Sequence, residues 1–279
     1  MRRMLSRDFG ATGVMVSAIG QGTWNMRSEG VEALRVGIEL GMTHIDTAEL
    51  YTGAEQVIGG AIRGQRQKVF LVSKVLPSHA SYKGTLRACD ASLKRLETDY
   101  IDVYLIHWWT GAHPVDETMR AMEDLVAAGK IRHIGVSNFD IHCLKEAQKA
   151  LARERIVCDQ VIYHLRSRGI EHRLIPYCES QHIAVVGYSP FGQRNFPSPG
   201  SKQGRALEQI ASKHGKTPRQ VALNFLTRRK SLFAIPKSSN PKHVRENAGA
   251  TGWQLDQEDL ELIDSVFPPP AKDEPLDML

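Results

Sequence analysis

Eight short apolar runs, each followed by an amphipathic stretch, leave few architectures open to this chain. The runs occupy residues 17–20, 44–46, 69–73, 102–107, 133–137, 160–163, 184–188 and 232–235. The stretches between them, 31–40, 54–63, 83–96, 117–128, 141–151, 172–181, 219–227 and 241–248, repeat their apolar residues at helical spacing. Runs this short read as buried strands, and strands alternating with helices build parallel sheets. Eight of each within 279 residues predict a closed (β/α)8 TIM barrel forming a single domain over residues 1–279. The competing doubly wound open sheet brings a G-x-G-x-x-G turn after its first strand in its dinucleotide-binding form. Here Gly20-Gln21-Gly22 runs on into Thr23-Trp24-Asn25 instead. Neither an internal repeat nor a low-complexity linker divides the chain. The longest polar connection, residues 193–204, carries Gly and Pro, and structureless loops of that length are often functional.

Composition removes several classes of protein. With 42% apolar and 24% charged residues, disorder and collagen are excluded, and no apolar run approaches the roughly 18 residues of a membrane span. The amino-terminal stretch, residues 1–10, begins with charge as an export signal does. Asp8, Gly10 and Gly13, and the lack of an A-x-A site, argue against export. Cys89, Cys143, Cys158 and Cys178 form neither a CxxC pair nor a Cys/His cluster, so the expectation is reduced thiols, no metal and a cytoplasmic location. A net charge of +5 is too small to imply nucleic acid. Its distribution is uneven: residues 201–245 hold eleven Lys and Arg against Glu208 alone, and residues 256–279 hold eight acids against Lys272 alone. The basic stretch reads either as the solvated faces of two helices or as a field for an anionic ligand.

In such a barrel, chemistry gathers where strands end. The second run ends in Asp46 with Tyr51 five residues on, the third in Lys74 and the fourth in His107. Singly, each has a dull explanation: a helix cap, a core edge, a snorkelling cation, a core histidine. Together they suit carbonyl reduction. A Tyr phenol with a pKa of about 10 is a poor acid near neutrality, and an adjacent ammonium is expected to bring that value down. Asp46 would keep Lys74 charged and oriented, while a neutral His107 would hydrogen-bond the substrate oxygen. No nucleophile stands out, so the hydride must come from a cofactor.

These residues, with Gly20-Gln-Gly-Thr-Trp24, Ser73-Lys74, Leu105-Ile-His107, Gly135-Val-Ser-Asn-Phe139, Asp159-Gln160, Gly187-Tyr-Ser-Pro-Phe-Gly192 and Ile235-Pro-Lys-Ser-Ser239 leading to Glu246-Asn247, resemble the aldo-keto reductase family, in its prokaryotic form with a short carboxyl tail. The resemblance implies an NAD(P)H-dependent enzyme reducing aldehydes or ketones, with Tyr51 as the general acid, Lys74 and Asp46 tuning it, and His107 positioning the carbonyl. It further implies that Ser137, Asn138 and Gln160 bind the nicotinamide carboxamide and that Tyr188 stacks on the ring. Ser189, Phe191 and residues 193–204 would cover the pyrophosphate, Lys237 and Ser238 would hold the phosphate beside the adenosine ribose, and Glu246 and Asn247 would complete the nucleotide site. His243 stands where many members carry an Arg, with Arg245 two residues later; an imidazole cannot reproduce a bidentate guanidinium contact. The cationic stretch nevertheless favours NADP(H), with NAD(H) as the alternative.

Trp24 and Trp108 are expected to wall the pocket of a small carbonyl substrate, Trp109 reads equally as packing, and the dozen residues after Phe267 imply an open, permissive site. Two other readings compete: a barrel aldolase using Lys74 as a Schiff-base nucleophile, and a nonenzymatic nicotinamide-sensing subunit. Substrate identity, reaction direction and oligomeric state leave no trace in the sequence.

Overall fold

The computed structural model describes residues 4–279, so the first three residues of the stretch read for export lie outside it. The chain opens not on a barrel strand but on an antiparallel hairpin, β1 (Ser6–Asp8) and β2 (Met15–Ser17). Its turn reverses through Gly10 and Gly13, both at positive φ. Gly10 is also pressed against the barrel, because a Cβ there would lie 2.2 Å from the Val157 carbonyl oxygen.

Eight parallel strands follow, hydrogen-bonded in chain order: β3 (Gln21–Gly22), β4 (His44–Asp46), β5 (Phe70–Val75), β6 (Ile101–Ile106), β7 (Ile131–Ser137), β8 (Ile156–Ile162), β9 (Ala184–Tyr188) and β10 (Leu232–Ala234). Bridges from Ile19 to Ala234 and from Gly22 to Lys237 join the first barrel strand to the last and close the barrel. The first strand corrects the sequence reading: residues 17–20 do not form it, because Ser17 still pairs with Ser6 in the hairpin.

The helices are α1 (Gly30–Glu39), α2 (Ala54–Ile62), α3 (Tyr82–Leu96), α4 (Val115–Ala127), α5 (Ile141–Lys149), α6 (Leu174–Ser180), α7 (Lys202–His214), α8 (Pro218–Leu226), α9 (Pro241–Ala248) and α10 (Gln257–Val266). Two of these, α7 and α10, lie outside the strict alternation. Both are well bounded locally: the Ser201 side chain accepts from the Gly204 amide and Gly215 closes α7 at φ +60, while Asp256 and Asp259 form a reciprocal capping box on α10. Lys213 of α7 bridges Asp256 at 2.7 Å and Asp259 at 3.0 Å, so part of the basic and acidic asymmetry resolves into a clamp between these helices.

Strand alternation sends one set of side chains inward and the other to the helices. Phe70 and Val72 of β5, Val103 and Leu105 of β6, and Ala184 and Val186 of β9 fill the barrel, whereas Leu71, Tyr104, Ile134, Val136 and Val185 pack outward under the helical shell. At the end where the strands begin, Phe9 from the hairpin stacks among Phe70, Phe233 and His44 at 4.8–5.6 Å between centroids, sealing the floor. At the other end the inward positions turn polar. Among the described residues, no helix is long and apolar enough to cross a membrane.

Candidate active site

Strand register delivers the polar residues to one rim. Asp46 ends β4 and Lys74 lies next to last in β5. The Lys74 Nζ donates to Asp46 Oδ1 at 2.7 Å and to the Thr47 carbonyl at 2.7 Å, and the two side chains are 0% and 2% exposed. Gln160 Nε2, arriving from β8, donates to the other Asp46 oxygen at 2.6 Å. Burial lifts the Asp46 carboxyl above its ordinary value while Lys74 pulls it back. For Lys74, burial acts downward, but the fields of Asp46 and Tyr51 prevail and hold the ammonium above its usual range. A charged, enclosed and fully hydrogen-bonded amine is no Schiff-base nucleophile, which removes the aldolase reading.

Tyr51 follows a turn closed by its own amide onto the Ala48 carbonyl at 3.0 Å. Lys74 Nζ lies 5.2 Å from its ring centre, and the His107 ring meets it edge-on at 5.7 Å. The expectation of an acidified phenol needs correction: burial raises Tyr51 above its ordinary value, Lys74 offsets this only in part, and Asp46 adds to the rise. In the free protein the hydroxyl therefore keeps its proton at neutral pH. His107 is pushed down to about 3 by burial and then by Lys74, so its imidazole is neutral.

Beside this group, Ser137 Oγ donates to the Gln160 carbonyl at 2.8 Å. Asn138, left-handed at φ +62, donates from Nδ2 to the His107 carbonyl at 3.1 Å and accepts from the Tyr188 hydroxyl at 2.9 Å. Ser189 also has positive φ. Phe191 lies in the same turn and packs edge-on against Phe196, with the Arg219 guanidinium over both rings at 4.7 and 4.8 Å. Phe196 falls within the 193–204 connection expected to cover the pyrophosphate, but sequence reasoning missed Arg219, because nothing in the spacing links residue 219 to a turn over twenty residues earlier.

The seam between β3 and α9 carries the cationic end. Lys237 and His243 are exposed around the amino end of α9 and Arg245 is exposed in its last turn, and the buried Ser239 Oγ has no partner among the described residues. An unsatisfied hydroxyl beside a lysine at a helix amino terminus suits a phosphate, so the residues present fit a phosphorylated dinucleotide. Asn247 is buried. Glu246 is already engaged, accepting from Thr217 Oγ1 at 2.7 Å.

Trp24 is 51% exposed at the rim, and Trp108 packs edge-on against His107 at 4.8 Å. Trp109 instead faces Phe139 and donates to the His113 carbonyl at 3.1 Å. The short carboxyl-terminal stretch, from which an open, permissive site is expected, is tied to the loops at this end of the barrel. Asp273 pairs with Arg173 at 2.9 Å, Asp277 accepts from Ser167 at 2.5 Å, and the Leu279 amide reaches the Tyr188 hydroxyl.

The profile of the Aldo/keto reductase family matches residues 15–267. The chain belongs to that family. This aldo/keto reductase is 43% identical over 274 residues to methylglyoxal reductase YeaE of Escherichia coli (strain K12), across 95% of this chain and 96% of that protein. It is 37% identical over 258 residues to glyoxal reductase of Bacillus subtilis (strain 168), across 91% and 90%. Among solved structures, an aldo/keto reductase from Klebsiella pneumoniae in complex with NADP and acetate superposes with a TM-score of 0.92 at 43% identity, covering 98% of this chain and 99% of that one. An aldo-keto reductase from the same organism in complex with NADPH gives 0.92 at 42% identity, covering 100% of each. The chain is an NADP(H)-dependent oxidoreductase that reduces carbonyl groups to alcohols by hydride transfer.

Proposed function

We propose that this reductase acts on small 2-oxoaldehydes of the methylglyoxal and glyoxal class, with Tyr51 donating the proton. The observation that carries the reading is the convergence of Tyr51, the neutral His107 and the buried Lys74–Asp46 pair on one rim. NADP(H), when bound, supplies the hydride. The Tyr51 hydroxyl gives its proton to the carbonyl oxygen as negative charge develops there. His107, neutral because it is buried beside Lys74, orients that oxygen by a hydrogen bond. The phenolate left behind faces Lys74, whose ammonium is fixed by Asp46, the Thr47 carbonyl and, through Asp46, Gln160. The cation thus lowers the cost of the charged state, even though the resting phenol is not acidic.

For the cofactor, Ser137, Asn138 and Gln160 are assigned to the carboxamide, Tyr188 to the face of the ring, and Ser189 and Phe191 to the pyrophosphate cover. Lys237, Ser238 and His243 are assigned to the ribose phosphate, and Asn247 to the adenosine end. Glu246 serves first as the partner of Thr217 at the start of α8. Trp24 and Trp108 wall the substrate side. The names of the two relatives support the dicarbonyl class. Four free cysteines, three of them buried, support a reducing, cytoplasmic setting for a single catalytic domain.

Tyr51→Phe is expected to lower kcat with methylglyoxal and NADPH by at least about a hundredfold, the lower range for a lost general acid, while NADPH still quenches tryptophan fluorescence. A near-native kcat removes Tyr51 from the chemistry. Across a carbonyl panel, kcat/KM is expected to be larger for 2-oxoaldehydes than for simple aldehydes of equal size, and the reverse order rejects the substrate class.

A further inference from the structure

Asp159 is a buried acid that the proposed chemistry leaves unused. It sits in β8 opposite Val136 of β7 and beside Gln160, yet strand alternation turns it the other way, into the layer beneath α5 and α6. There it is fully buried. Its Oδ1 accepts from the Phe139 amide at 3.5 Å, and its Oδ2 has no partner among the described residues. Phe139 directly follows Asn138, the left-handed residue that ties the β7 end to His107 and Tyr188.

We propose that Asp159 is a positioning residue for cofactor binding: from behind the β7–α5 turn, its carboxyl holds the Phe139 amide and through it the left-handed Asn138. The inference rests on the assignment of Asn138 to the carboxamide. Left-handed backbone at a non-glycine residue costs energy and persists only where the surroundings hold it. Asp159 is one such hold.

The setting also makes the hold sensitive to pH. The charge acting on Asp159 is the Asp140 carboxylate at the start of α5, a repulsive one. The other titratable groups sharing its field are the thiols of Cys143 on α5, Cys178 on α6 and Cys158 on its own strand, and the Tyr188 phenol. None supplies a positive charge. Burial therefore pushes the carboxyl well above the ordinary carboxylate range. Because the folded protein retains a proton that the unfolded chain releases, stability falls as pH rises. An ionised Asp159 in this dry layer would draw in water or move, loosening the turn.

NADPH dissociation constants, read by tryptophan quenching from neutral into alkaline pH, test this in the wild type, Asp159→Asn and Asp159→Ala. Asn keeps an acceptor for Phe139 and cannot ionise. It is expected to bind NADPH within about twofold of wild type at neutral pH, to lose the alkaline weakening, and to melt at a higher temperature with a flatter pH dependence. Ala is expected to weaken NADPH binding about fivefold, the loss of one neutral hydrogen bond, with kcat at saturation unchanged. Parallel pH profiles for wild type and Asp159→Asn overturn the proposal, as does equal affinity in Asp159→Ala. If instead no variant, wild type included, binds NADPH, the assignment of the cofactor site fails rather than this inference.

Discussion

Replacing Lys74 by Met tests the centre of the site. The side chain is of similar length and apolar, so the change removes charge and hydrogen bonds with little loss of volume. Asp46 then keeps the Gln160 amide but loses its 2.7 Å ion pair and stays buried. The barrel can house it only as the neutral acid. Holding a carboxyl with an ordinary value of 3.8 protonated at about pH 7 spans roughly three pH units, at about 1.4 kcal/mol each, or about 4 kcal/mol. Breaking buried pairs by removing one partner costs about 3–5 kcal/mol, in agreement. For a domain of this size the melting temperature should fall by roughly 10 °C. The sign in pH is distinctive. With Asp46 raised in the folded mutant and ordinary in the unfolded chain, the mutant loses stability as pH rises above the unfolded value. The gap to wild type therefore narrows as pH falls from about 7 to about 5, by up to about 1.4 kcal/mol per unit. Thermal melts of both proteins across that range measure this, and kcat should fall about a hundredfold or more in parallel. A deficit below about 1 kcal/mol, or one independent of pH, would refute the picture of a charged, desolvated pair.

Three further outcomes are expected. His44 and His107, both pushed down to about 3, stay neutral in the fold and charge only in the unfolded chain, so stability is lost as pH falls below about 6.5; each contributes about 2 kcal/mol of loss by about pH 5, and His44→Leu should remove its share in acid melts. Because His107 does not titrate near neutrality, kcat should show no acidic limb between about pH 5 and 7; such a limb that disappears in His107→Gln would contradict the neutral imidazole. In parallel assays kcat/KM should be larger with NADPH than with NADH, and His243→Arg should widen the ratio about tenfold by adding a charge-assisted contact; a ratio at or below one in the wild type would reject the phosphate assignment at α9.

Much of the architecture was readable because strand runs and helical spacing are local signals. β4 and β9 occupy the residues expected of them. The hairpin was not readable: residues 16–19 form one apolar run with no turn signal at the point where β2 ends and the barrel begins. The turn glycines that mark the hairpin, Gly10 and Gly13, had been weighed only against export. α7 and α10 escaped because each has only a few buried apolar positions among polar and charged residues, although the caps at Ser201 and Asp256 were visible in principle. Asp46, Tyr51, Lys74 and His107 were legible because their residue types are unusual at strand ends. The direction of the Tyr51 shift was not, since desolvation depends on how closely the rim is packed. Asp159 stood in plain view beside Gln160 but just outside the strand expected at 160–163; that the two face opposite ways follows once β8 is seen to begin at Ile156.

The Phe9 hairpin has one last implication. A barrel stoppered beneath by Phe9, Phe70 and Phe233 is a vessel with a single doorway, so nucleotide, aldehyde and alcohol must all pass the same threshold. Trp24, Tyr188 and the end of the tail share that entrance.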